Sequence, residues 1–220
     1  MMTLRRALAI ALLAALPSAA AAGIEKPKQV SAAKAVKPGQ GVVVISIRSE
    51  IFLPDKLDVF FERQVETPGQ PHLVVRFSRS QSMLAIGNDT TDYAVKSYAL
   101  PAGRYRLVAH GVNCPGVPPP GMGCAIRVGA GPMISRPSRG YAGETPSFVV
   151  EAGKLTMAGD FLLANSNQML WSALPEANAS AAKAKFAAMP DAAPPTVPEG
   201  FALNRAVRGT GMFDNFGRKY

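Results

Sequence analysis

Two cysteines, two histidines, a scatter of carboxylates and a run of arginines are the groups with which this chain could do chemistry. Cys114 and Cys124 flank Pro115–Gly123, a stretch of Gly and Pro that can fold its ends together. In an oxidising compartment the pair would close a disulfide, stabilising the fold by roughly 2–3 kcal/mol on a chain-entropy argument. Buried free thiols are the alternative. Their spacing does not suit zinc, which takes cysteines two to four apart and four ligands in all. His72 and His110 stand in no H-E-x-x-H pattern and lack a third ligand, so each is expected to be a strand-end or loop imidazole. No metal or other cofactor is expected. Asp55 with Asp58, or Glu62 with Glu66, could be offered as acid–base pairs, but fifteen acids make such neighbours common by chance. No serine sits in G-x-S-x-G and no phosphate-binding G-x-x-x-x-G-K-[ST] occurs. No catalytic residue is therefore nominated, although a small secreted hydrolase with a loop-borne site is the runner-up reading.

Binding chemistry has a better candidate. Arg127, Arg136, Arg139 and Tyr141 cluster around Ser135–Gly143, a connection too long for a simple turn. Long loops on rigid frames often carry function, and guanidinium groups fork onto carboxylates and phosphates. A solvated loop without a ligand is the alternative. The formal charge is +9, and about +7 without Arg5 and Arg6, which favours an anionic envelope component or another exported protein as partner. Nucleic acid is not expected, because the basic residues are scattered and do not interleave with aromatics.

Arg5 and Arg6 precede the apolar run Ala7–Leu16, and Pro17-Ser18 then leads into Ala19–Ala22. That order is the order of a secretory signal, with cleavage expected near Ala22. The apolar run is half of the roughly twenty residues a membrane-spanning helix needs, so the mature chain is expected to be soluble, in a bacterial periplasm or outside the cell. Residues 23–40 carry Lys26, Lys28, Lys34 and Lys37 without periodicity and are expected to be a flexible basic leader.

The elements that must position these groups begin at Gly41. Val42–Ile47 is a β-branched run, expected to be a strand buried on both faces. Leu57–Glu62 and Leu73–Phe77, separated by Pro68-Gly69-Gln70-Pro71, suggest a hairpin. Asp92–Leu100, Arg104–Ala109, Ala125–Val128, Ser147–Glu151 and Leu155–Leu163 complete the set, with Tyr105, Leu107 and Ala109 on one face and Arg104, Arg106 and Val108 on the other. Seven or eight short strands without intervening helices predict a mainly β domain, an antiparallel sandwich over 41–165, with a barrel as the competing architecture. Residues 166–220 are expected to add a helix at Glu176–Met189, with Ala182, Phe186 and Met189 on one face, and then a Pro-rich, basic tail containing Phe201, Phe213 and Phe216.

Two segments are more specific. Leu100-Pro101-Ala102-Gly103-Arg104-Tyr105-Arg106-Leu107 resembles the L-P-x-G-x-Y-x-L corner of transthyretin-like, carboxypeptidase-regulatory-like sandwiches. Phe148–Asp160, with Gly153 and Gly159-Asp160, is similar to a segment of the DUF2846-like exported bacterial proteins of uncharacterised function. The resemblance covers about Gly41–Ala164 and implies a β-sandwich whose corner tyrosine enters the core. It implies no catalytic residues, and the Cys-bearing insertion between the segments departs from the simplest modules.

Overall fold

The computed structural model describes residues 23–50, 56–65, 72–79, 95–127, 133–135 and 137–203. The leader signal at 1–22, the turn Pro68–Pro71 and the tail beyond 203, with Phe213 and Phe216, lie outside the described residues. The protein is mainly β, built as two facing sheets. One has the order β1 (Gly23–Glu25), β5 (Leu73–Arg79), β4 (Leu57–Arg63), β7 (Gly103–Val112) and β10 (Arg139–Gly140), with β11 (Ser147–Val150) also paired to β7. The other runs β13 (Met169–Ser172), β12 (Leu155–Leu163), β3 (Gln40–Ser49), β6 (Lys96–Pro101) and β2 (Lys28–Gln29). A separate two-stranded ribbon joins β8 (Ala125–Arg127) to β9 (Met133–Ser135).

Alternation places Val43, Ile45 and Ile47 of β3, Val59 and Phe61 of β4, Val75 and Phe77 of β5 and Phe161 and Leu163 of β12 in one interior between the sheets. Phe61 sits at its centre, edge-on to both Phe77 and Phe161 at centroid distances of 5.6 and 5.1 Å. Edge-to-face aromatic packing of this kind adds to the area buried. The expected hairpin is present, since β4 and β5 pair antiparallel from Leu57↔Arg79 to Arg63↔Leu73.

The sheets are mixed rather than antiparallel throughout. β12 runs parallel to β3, and β1 runs parallel to β5. Parallel neighbours need a long return path. Between β3 and β12 the chain crosses to the other sheet and back, which supplies one. Among the described residues, seven of the expected strands appear with four or more residues, the expected Ala125–Val128 strand is described as the three-residue β8, and β13 is an addition; the other short strands carry too few residues to show a period.

β3 is buried on both faces, as its unbroken apolar run implies. Its outward Val42 and Val44 meet Leu155, Leu174, Ala182 and Phe186 in a second cluster. Ala182 and Phe186 belong to the helix α1 (Glu176–Lys185) and its C-cap, so the alanine-rich helix docks on the sheet. It stops four residues short of the expected end, and Met189 still packs against the cluster. The leader is not free either. Gly23–Glu25 and Lys28–Gln29 pair with β5 and β6, and Val30 is buried. Its backbone completes the two sheet edges, a role that needs no hydrophobic period.

The Leu100–Leu107 corner behaves as its residue types imply. Gly103 takes a positive φ, and Tyr105 is fully buried with its hydroxyl donating to the Pro101 carbonyl at 2.9 Å and its ring stacked on Phe148. Farther along β7 the expected face assignment fails at Ala109. A bulge puts Leu107 opposite Phe61 but Ala109 opposite Phe60, leaving Val108 unpaired in the ladder. One extra residue inverts the alternation beyond it. Ala109 therefore packs on the outer face with Phe60 and Val74, and His110 turns into the interior.

Candidate functional site

The far end of β7 is where the sequence placed its chemistry. Cys114 and Cys124 stand at bonding distance, with sulfurs 2.07 Å and Cα atoms 5.9 Å apart. The loop they close lies against the outer face of the first sheet, where Val117 packs on the cluster around Phe60. It also clasps β10. The Gly121 amide donates to Gly140, the Gly140 amide donates to Met122, and no side chain fits at Gly140, since a Cβ there would strike the Pro118 and Pro119 carbonyls. Gly111 has the same role beneath Cys114. Ser138 is buried beside the bridge, 3.2 Å from Cys114 Sγ.

Arg139 and Tyr141 leave this clasp in opposite senses. Arg139 is exposed, its guanidinium 5.7 Å from the centre of the Tyr141 ring. Tyr141 is buried and joins the core, edge-on to Phe201. Its hydroxyl lies 2.9 Å from His110 Nδ1 and accepts the Met169 amide at 2.8 Å, while His110 Nε2 lies 3.1 Å from Asn167 Oδ1. With the imidazole neutral, Nε2 donates to Asn167 and Nδ1 accepts from the tyrosine, which satisfies all three contacts. Burial above all, and the nearby Arg139 charge, push the imidazole down to about 4, against a smaller upward effect of the Asn167 bond. Burial likewise raises the Tyr141 phenol to about 12. The network ties β7, the 141 segment and the turn between β12 and β13 together, across the two sheets. His110, with both nitrogens engaged and no exposed surface, serves as a core strut.

Arg127 ends β8 opposite Met133, so Ala125–Arg127 and Met133–Ser135 form a two-stranded ribbon. Arg136 lies outside the described residues. Arg139 and Tyr141 are thus neighbours, with Arg139 alone of the two offered to solvent.

Of the acids raised as possible pairs, the two among the described residues, Asp58 and Glu62, are engaged with cations. Asp58 is buried, accepts the Ser78 hydroxyl and has Lys56 and Arg76 within 3.5 and 3.8 Å. Glu62 bonds Arg106 and His72; burial raises its pKa, but those bonds and charges outweigh it and hold the carboxyl below its ordinary value. Asp55 and Glu66 are outside the described residues. Among the described residues, no three His, Cys, Asp or Glu side chains gather as a metal would require, and no helix is long and apolar enough to cross a membrane.

Sequence reasoning missed one buried charge pair. Arg48 holds Asp160 through Nε at 2.8 and 3.0 Å and through its terminal nitrogen at 2.6 Å, bracing the parallel strands β3 and β12. The signal was present as the lone charged residues, one Arg and one Asp, of two largely apolar strands. Beside Asp160, Gly159 adopts a positive φ at a bulge, where a Cβ would collide with the Trp171 indole. Trp171 donates from there to the Ala158 carbonyl at 2.8 Å. These contacts give the Gly-Asp pair a structural purpose.

No family model matches the chain, and no curated protein matches it. Among solved structures it is similar to a leucine-rich repeat protein from Bacteroides thetaiotaomicron VPI-5482, at 16% identity over 54% of this chain and 13% of that one. The TM-score of 0.28 is too low for that likeness to bear on fold or function.

Proposed function

We propose that this is an exported protein of the bacterial periplasm or exterior that acts by binding, as a non-enzymatic envelope or extracellular component with an anionic partner. The observation that carries the reading is the clasped end of β7. There the Cys114–Cys124 pair fixes a Pro-rich loop, and that loop clasps β10, which carries Arg139 at the surface. A disulfide suits an oxidising compartment, and the signal-like order of residues 1–22 supplies the route to it. Membership of the DUF2846-like group belongs to the same proposal, resting on the Leu100–Leu107 corner and the Phe148–Asp160 segment. The burial of His110 and Asp58, which keeps both from a substrate in solvent, favours binding over hydrolysis.

Two measurements test this. Amino-terminal sequencing of the exported protein should begin within one or two residues of Ala22, and a start at Met1 or beyond Lys34 overturns the export route. Crosslinking in the native cell should trap a repeatable acidic partner that weakens when Arg136 and Arg139 are both replaced by Ala, and weakens further with salt. Retention of every partner by the double variant would exclude this end as the site.

A further inference from the structure

A second basic site lies at the other end of β7, on the outer face of the first sheet. Cross-strand register sets Arg106 between Glu62 of β4 and Ser147 of β11, and sets Arg104 opposite Val149. The chain returns once more beside β11, where Ser147 and Thr196 exchange backbone hydrogen bonds at 2.9 and 2.8 Å. Gln64, Arg104, Arg106, Glu144, Ser147 and Thr196 thereby frame a pocket of about 300 Å³.

Its charges are unequal. Arg106 spends two N–H groups on Glu62, at 3.1 and 2.8 Å. Arg104 makes no ion pair or side-chain hydrogen bond among the described residues, although it is only partly exposed. Glu144, the one carboxylate among the lining side chains, is exposed at the rim and pairs with neither arginine. The Ser147 and Thr196 hydroxyls are likewise uncommitted, whereas that of Thr145 is bound to the Leu107 carbonyl. A guanidinium half-withdrawn from water favours a counter-ion, and its planar fork selects oxyanions.

We propose that this pocket binds a small ligand bearing one oxyanion, carboxylate or phosphate, on a hydroxylated body no larger than a monosaccharide. Arg104 takes the oxyanion, Arg106 adds field, and Ser147, Thr196 and Gln64 bond the polar body. The site is separate from the Arg139 surface, because six residues of β7 set them about 20 Å apart.

Calorimetric titration of the purified chain with D-glucuronate, inorganic phosphate and glucose tests the assignment. Glucuronate, phosphate or both should bind in the millimolar range and glucose should not. Arg104→Gln should weaken that binding by about tenfold while leaving the unliganded melting temperature in place. Glu144→Gln, which removes the negative charge at the rim, should tighten it by about two- to fivefold, and Arg139→Ala should leave it unchanged. Phosphate binding without glucuronate would assign the pocket to phosphate groups, and the reverse to sugar carboxylates. Equal behaviour of glucose and the anions overturns the proposal, as does unchanged affinity in Arg104→Gln. Should Arg104→Gln fail to fold, Glu144→Gln decides, since a misfolded variant does not gain affinity and an unaltered one refutes the charge argument.

Discussion

Lowering the pH should erode the stability that depends on the neutral His110 strut before most of the carboxylates titrate. In the folded protein the imidazole is held down to about 4, against 6.5 for an unburdened histidine. With the folded pKa depressed, the unfolded chain binds the extra proton first. Stability is therefore fully present above about pH 6.5 and declines as the pH falls toward about 4. For that window the linkage relation gives a loss of about 2 kcal/mol at about pH 5, approaching 3 kcal/mol near pH 4. Protonation would also force Nδ1 to donate to a tyrosine oxygen that already accepts the Met169 amide, so the network has no good alternative arrangement. Trp171, the single tryptophan, is partly buried against the core and can report urea unfolding. At a urea m-value of about 2 kcal/mol/M, the midpoint should drop by about 1 M between pH 7.5 and pH 5. Other groups titrate as well, so the decisive comparison is with His110→Gln, whose midpoint should vary less over this range. Parallel curves for the two proteins, or an imidazole titrating near 6.5 by NMR, would refute the reasoning.

Three further outcomes follow from the packing. Tyr105→Ala should cost about 3–5 kcal/mol as a large-to-small core change, and Tyr105→Phe about 1 kcal/mol for the bond to Pro101, both read from urea midpoints; an unchanged midpoint for the alanine variant refutes the core assignment. Opening the Cys114–Cys124 bridge with reductant, or replacing both by Ser, should lower stability by about 3 kcal/mol, while native thiol labelling without reductant should find neither cysteine; free thiols there contradict the pairing. Asp160→Ala should cost about 3–5 kcal/mol by removing the buried carboxylate that Arg48 holds, whereas Arg48→Met with Asp160→Leu should recover most of that loss; equal destabilisation by the single and double variants rules out the broken charge pair as the cause.

Much of this protein could be read from residue order alone. The run Val42–Ile47 is apolar at every second and every intervening position but Ser46, so only a strand covered on both sides suits it, and α1 with its C-cap Phe186 supplies the outer cover. Alternation in Leu57–Glu62 and Leu73–Phe77, a Pro-Gly corner before Tyr105, and two cysteines around a Gly/Pro stretch each carry their meaning within a few residues. Those are local preferences, and local preferences are written in local sequence. Partnership across the fold is not. The bulge at Val108 that turns His110 inward arises from register with Phe60 and Phe61, and no property of β7 alone reveals it. The parallel pairing of β3 with β12 depends on where a connection of more than a hundred residues returns. The Arg48–Asp160 pair, the His110–Tyr141–Asn167 network and the pocket at Arg104 all join residues from distant parts of the chain. The leader shows the same division: Gly23–Glu25 and Lys28–Gln29 have too few residues to display a period, and they are ordered by backbone hydrogen bonds to sheet edges. Sequence determined which segments extend and which faces they bury; the meeting of those faces in space decided which polar groups are satisfied inside and which remain for a ligand.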